Sequence, residues 1–265
     1  MNRVIARQMI AADILKLRRH RPTMTAAAVL TVGITALYLT LILARHGGQL
    51  PGGQTLGDGT SLMGLYFGSF AAILIGAEAG TTDLDSGVFR DLAATGRSRT
   101  ALFLTRIPAA VAVALAFTLS GLLVTVAAAF AFHGTSPGPG AGLVIESAGW
   151  VVLATTVVTT LAVGIGSFTG SRAITLTAII GWQTIATGIL YLATFLGAAR
   201  DLVLLIALCR FLPGQAIGTR AHPGSSNALY NYKLAMPVAA AALVILAWIA
   251  IAAVAGAWRT RTRDA

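Results

Sequence analysis

The sequence predicts an all-α polytopic membrane protein: six transmembrane helices behind an N-terminal amphipathic elbow helix, with both termini cytoplasmic. Three observations predict it. Hydrophobic residues make up 56% and charged residues 11% of the 265 residues, against roughly 25% charged in soluble domains. Six apolar stretches are long enough to cross a hydrocarbon layer ~30 Å thick. With six spans and an inner N-terminus, Lys and Arg divide 14 inside to 5 outside, the bias that sets helical membrane topology. The net charge of +10 therefore orients the chain and meets anionic lipid, and is not read as binding nucleic acid. The single cysteine, Cys209, excludes an intrachain disulfide and a cysteine-based metal cluster.

Residues 1–22 precede the first span. Val4, Ile5, Met9, Ile10, Ile14 and Leu17 recur at helical spacing, and Arg3, Arg7, Lys16, Arg18, Arg19 and Arg21 supply charge. This pattern predicts a basic amphipathic helix in the inner headgroup layer. The long basic lead and the absence of a small-x-small cleavage site favour an uncleaved anchor over a signal peptide. The membrane domain spans 23–258. Its first span is Thr23 to Ala44, opened by Pro22, whose missing N–H costs nothing there.

A Gly-rich loop is expected from Arg45 to Thr60, with turn signals at Pro51, Gly52 and Gly53. The second span then runs from Ser61 to Ala77, with Gly64-x-x-x-Gly68 available for close helix approach. The third span begins near Ala101 and ends before His133, and Arg106 near its start is expected to snorkel to the interface. Turn residues fill His133 to Gly142. The fourth span covers Leu143 to Phe168, with Glu146 in its outer turn. A five-residue link holding Arg172 leads to the fifth span, Ile174 to Leu196. Residues 197–235, broken by Pro213, Gly214, Pro223 and Gly224, predict short helices forming an outer hairpin. The sixth span, Met236 to Trp258, precedes a basic tail at 259–265.

The longest polar interruption on the inner side, Gly76 to Arg106, carries Glu78, Asp83, Asp85 and Asp91 with Arg90, Arg97, Arg99 and Arg106. Within it Val88, Phe89 and Leu92 share one helical face. Asp85 or Ser86 can cap that short helix, Gly96 suits its C′ position, and Ser98 can cap the next helix. The segment is either a docking helix for a cytosolic partner or a solvated helical loop. Arg90 and Asp91 either pair with that partner or stay solvated. Glu78 and Arg106, at the two ends of the interruption, are expected to form an ion pair. In the fifth span Gln183, Thr184, Thr187 and Tyr191 form a mildly polar stripe beside Trp182, which must face protein or a cavity, since lipid would waste those groups. Tyr66, Phe67 and Phe70 of the second span offer an apolar pocket wall.

With this layout, the chain resembles the permease subunit of an ATP-binding cassette transporter of the type-2 exporter (ABC-2) class over nearly its whole length. The residues carrying the resemblance are the elbow stretch Asp13-Ile14-Leu15-Lys16-Leu17-Arg18-Arg19 and the polar stretch after span two. There Asp83 precedes Gly87-Val88, a short helix at Phe89 to Ala94 follows, and Gly96-Arg97-Ser98-Arg99 turns into span three. The sequence departs from the family pattern in having Val88 for the usual Thr. Glu78 also lies nine residues before Gly87 where about four is usual, which leaves open whether Glu78, Asp83 or Asp85 serves as the family's acid.

The resemblance implies two permease subunits, a homodimer or a pair with a sister subunit, and two copies of an ATPase subunit. The coupling helix would be 86–96, and the coupling interface Asp83, Asp85, Val88, Phe89, Arg90, Asp91, Leu92, Gly96 and Arg97. The chain has no Gly-x-x-x-x-Gly-Lys-Ser/Thr loop, so ATP and Mg²⁺ would belong to the partner and no cofactor to this chain. The substrate expected is a drug, antibiotic, lipid or peptide, and the location a bacterial cell membrane. An ion-coupled secondary transporter would place acids or bases in mid-span, and this reading of the sequence places none there. A non-transporting accessory subunit is the other alternative. The four histidines, His20, His46, His133 and His222, fall at ends or in loops, which disfavours intramembrane hydrolysis and haem ligation.

Overall fold

The computed structural model describes residues 3–45, 47–50, 52–85, 98–192, 201–213 and 236–262. Among them the protein is helical, with no strand. Helix α1 (Arg3–Arg19) is followed by α2 (Arg21–Arg45), α3 (Gly52–Gly64), α4 (Phe67–Asp85) and α5 (Arg99–Ala131). Then come α6 (Ala141–Thr169), α7 (Arg172–Leu192), the short α8 (Leu204–Cys209) and α9 (Val238–Thr262). Five helices are long and apolar enough to cross a membrane: α2, the joined α3–α4 stretch, α5, α6 and α9. This is a multi-pass, membrane-type protein. The 21 residues of α7 form a further helix where the fifth span is expected.

Helix α6 lies at the centre. It packs against α3, α4, α5, α7 and α9, and 72% of its most apolar window is buried, against 22% for α2 and 17% for α9. The outer pair therefore present most of their surface to lipid or to another subunit. Close approach to α6 is made by small residues. A Cβ on Gly76 would meet Ala162 Cβ at 2.6 Å, and one on Gly80 would meet the Val163 carbonyl at 2.8 Å. Without a hydrophobic drive between helices in lipid, such contacts supply the packing that holds them. Gly164 takes the same role against Ala252 of α9. Only two residues, Gly170 and Ser171, separate α6 from α7. Gly170 adopts the left-handed conformation (φ 69°) that ends α6, and its N–H bonds the Gly166 carbonyl, a position where glycine bears no Cβ penalty.

Several boundaries differ from the expectation. The stretch expected to be a loop up to Thr60 is helical from Gly52, and Thr55, Leu56, Gly57, Gly59 and Thr60 are buried. Glycine weakens an isolated helix, but here tertiary packing overrides that cost: a Cβ on Gly59 would collide with Thr125 of α5. The second span is thus longer than expected and is interrupted at Leu65 and Tyr66. Of the Gly64/Gly68 pair, Gly64 lies under the Trp150 ring of α6, while Gly68 sits against the Met63 main chain at the break and makes no helix–helix approach. Ser98 caps α5 as expected, accepting from the Ala101 N–H at 3.2 Å. The coupling-helix residues Ser86 to Arg97, with Val88, Phe89, Arg90, Asp91, Leu92 and Gly96 among them, lie outside the described residues, as do most of the expected outer hairpin and the last three residues.

Candidate functional site

Two sites emerge. The first is a charge cluster at one end of the bundle, where the ends of α1, α4, α5 and α7 and the start of α2 converge. Glu78 of α4 is only 5% exposed. Its Oε2 lies 2.7 Å from Arg172 Nη1, and its Oε1 lies 3.5 Å from His20 Nε2. The Thr23 hydroxyl donates to Oε2 at 3.2 Å, and the Thr82 hydroxyl to Oε1 at 2.8 Å. Thr23 in turn accepts from Arg172 Nη2 at 3.1 Å, so one hydroxyl joins the start of α2 to α4 and α7. One turn along, Asp83 pairs with Arg106 Nη2 of α5 at 2.7 Å and with Lys16 of α1. Asp83 and Arg106 are both buried.

Asp13 and Arg106 line a cavity of about 250 Å³ together with Gln8, Met9, Asp83 and Thr105. Burial pushes the Asp13 carboxyl above its ordinary range, while Arg106, a hydrogen bond with Thr105 and Lys16 pull it back. Burial, then the Arg106 guanidinium, push the Lys16 ammonium below its ordinary range, against Asp13 and Glu78. In low dielectric an ion pair is stable only with good geometry and satisfied lone pairs, and Glu78 meets that condition with four partners.

The sequence reading is corrected here in two respects. Glu78 and Arg106 do not pair with one another: Glu78 takes Arg172, and Arg106 takes Asp83 and does not snorkel. Asp83, expected at an ATPase-facing surface, has its carboxylate buried and engaged with Arg106 and Lys16. The side chain of Asp85 and all of Arg97 lie outside the described residues.

The second site is the break in the middle of the second span. Ending α3 at Gly64 frees main-chain carbonyls inside the bundle, where each unsatisfied group costs several kcal/mol. Two of them are met by side chains: Ser69 donates to the Gly64 carbonyl, and Gln183 of α7 donates to the Leu65 carbonyl. A cavity of about 40 Å³ sits there, lined by Ser69, Val158, Ile179, Trp182, Gln183 and Leu205 among others. Helix α8 forms its floor, entirely buried. It is tethered by two indoles: Trp150 Nε1 donates to the Leu208 carbonyl at 2.9 Å, and Trp248 Nε1 to the Leu202 carbonyl at 3.0 Å.

Of the residues expected at a cavity, Trp182 and Gln183 line this one. Trp182 is also 6.2 Å from the Trp248 ring. Phe67 and Phe70 stack edge-on, 6.3 Å apart, outside the cavity lining. Tyr66 is 41% exposed at the break. Thr184 bonds the Ile180 carbonyl of its own helix at 2.8 Å and is exposed. The side chains of Thr187 and Tyr191 lie outside the described residues. Ser69 was missed, because a lone serine in an apolar run carries no periodic signal; α8 is one of the short helices expected between residues 197 and 235, and what the sequence did not show is its complete burial.

One further acid is relocated. Asp58, assigned to a loop by its glycine neighbours, lies within α3, and the Tyr38 hydroxyl of α2 donates to its Oδ2 at 2.7 Å. A span therefore does contain an acid. Glu146 is exposed near the start of α6. Among the described residues no group of three His, Cys, Asp or Glu could hold a metal ion. No protein-family model, no curated protein and no solved structure matches this chain significantly.

Proposed function

We propose that this chain is the transmembrane permease subunit of an ATP-binding cassette exporter of the type-2 class, moving a hydrophobic or amphipathic substrate. The observation that carries the reading is the discontinuous second span. Broken helices near the middle of a bundle, with their freed carbonyls turned toward a cavity, recur in secondary transporters, and the break here is read as the same device in an exporter. Here the break adjoins an apolar cavity walled by Trp182 and floored by the short, buried α8. The basic helix α1 packed on α5 supports the elbow role, with the cluster end of the bundle in the cytosol.

In this reading the segment 86–96 is the coupling helix that receives force from two partner ATPases, which hold ATP and Mg²⁺. It follows Asp85 and precedes Ser98, so a push on it enters α4 and α5 directly. The Asp83–Arg106 pair locks those helices together, Lys16 carries the movement to α1, and Glu78–Arg172 carries it to α7. Helix α7 bears Gln183, whose amide holds the break. A displacement at the cluster thereby reaches the cavity through one rigid helix.

The test has two arms. Purification of the tagged chain from its native host should bring an ATPase subunit with it, and a preparation free of any such subunit would count against the assignment. Phe89→Asp should leave insertion and assembly intact while separating ATP hydrolysis from transport. Wild-type behaviour in that variant would remove 86–96 from the coupling role.

A further inference from the structure

We infer that Asp58, held by Tyr38, is a proton-binding site inside the membrane, in the part of the bundle farthest from the charge cluster. The inference rests on the chain being a membrane protein and not on the exporter reading.

Position comes first. Asp58 is six residues in from Gly52, about 9 Å along the axis at the helical rise. Tyr38 is seven residues in from Arg45 on α2, so the pair sits below the ends of both helices. An ionisable group is costly to insert, by roughly 2.5–3.5 kcal/mol at the centre of a span on the mildest scales and less toward its ends. It persists where it has work to do or a counter-charge. Asp58 has no counter-charge: among the described residues its one hydrogen-bond partner is the neutral Tyr38 hydroxyl, and no cation pairs with it.

Helix α2 contributes Tyr38, and its nearest cation, Arg45, ends the helix almost two turns away. The stretch of α5 from Thr118 to Ala131 carries no ionisable residue. Helix α6 offers only Glu146, exposed near its start. A half-buried carboxylate with one neutral donor and no cation exchanges its charge for a neutral acid by taking a proton on its second oxygen. The proton comes from hydronium, leaving water, and no other bond changes.

The orientation of Asp58 supplies a route. Gln54, Asp58 and Ser61 recur at i, i+4 and i+7 and form the less buried face of α3, while Thr55, Leu56, Gly59, Thr60 and Met63 are buried. Asp58 is thus half-buried on the face of α3 that it shares with the exposed Gln54, and proton exchange runs along that face.

The test uses the full chain in lipid nanodiscs, followed by infrared difference spectroscopy as pH is varied. Wild type should show the C=O stretch of a protonated carboxyl in an apolar setting, sensitive to deuterium exchange. Asp58→Asn, nearly isosteric, should abolish that band, and Tyr38→Phe should move both its frequency and its titration midpoint. Identical spectra for wild type and Asp58→Asn would overturn the proposal. Loss of the band on adding sodium chloride or ethylammonium at fixed pH would also overturn it, making the site one for a metal or organic cation. If Asp58→Asn fails to fold, Tyr38→Phe decides alone, since an unmoved band would show that the absorbing acid is not the one bonded to Tyr38.

Discussion

Gln183 of α7 donates its side-chain amide to the main-chain carbonyl of Leu65, 118 residues away in sequence. The contact satisfies a main-chain carbonyl at the break from another helix, while Ser69, from within the span, serves that of Gly64. Gln183→Leu keeps the volume and removes the donor. It should cost about 0.6–1.7 kcal/mol, the range of interhelical hydrogen bonds in a folded membrane protein, and it should loosen the wall of the cavity. Reversible unfolding in mixed micelles measures the first effect. A variant as stable as wild type would mean that a water replaces the amide.

Asp83 and Arg106 form the most buried ion pair among the described residues. Removing one partner strands the other, so Arg106→Leu should destabilise the fold by about 3–5 kcal/mol. The double variant Asp83→Asn with Arg106→Leu should recover part of that loss. A double-mutant cycle reads the coupling directly, and additive losses would show that the two side chains do not act as a pair.

Asp13 and Lys16 give the docking of α1 a pH dependence whose sign follows from burial. The Asp13 carboxyl is raised in the folded state, so its stabilising contribution is complete below the ordinary carboxylate range and is lost as pH rises through its folded value. The Lys16 ammonium is lowered, so its contribution is present above the ordinary lysine range and is lost as pH falls through its folded value. Near neutral pH both groups are therefore held at a cost. Asp13→Asn should raise thermal stability at pH 7, by ~0.5 kcal/mol after allowing for solvent screening. The gain should vanish in acid. An equal gain at both pH values would trace the effect to packing.

Gly80 faces the Val163 carbonyl and the Gly166 Cα across the α4–α6 contact. Gly80→Leu must push those main chains apart, and overpacking of this kind costs about 1–3 kcal/mol or more. Gly149, also within α6, has nothing within 4 Å of a new Cβ, so Gly149→Ala should be silent or slightly stabilising. Yield of monodisperse protein and its melting temperature separate the two. Equal tolerance would place the close approach elsewhere.

The legible part of this fold was what hydropathy and punctuation encode. Ser98 read as a cap because it precedes an apolar run, and Gln183 read as inward-facing because it interrupts one. Gly52 to Thr60 misled because glycine signals a turn when neighbours are unknown, whereas in a crowded bundle it signals contact. Asp58 was carried into the loop with them. The ion-pair partners could not be assigned because Glu78, Asp83, Arg106, Arg172 and Lys16 all lie at the same level of the bundle. Which cation reaches which acid depends on how the helices rotate about their axes, and that rotation is fixed by packing. Gly76-x-x-x-Gly80 was the unused clue to the α4–α6 contact.

The central placement of α6 bears on how the protein is built. A ribosome delivers α6 to the bilayer before α7, α8 and α9, when the side destined for α9 still touches acyl chains. Its threonines and glycines are poor company for lipid, so a half-made bundle is sticky along that groove until the last helix slides in. Truncation after α7 should therefore yield chains that cross-associate through α6, and a chaperone or insertase would have to shield that surface during synthesis.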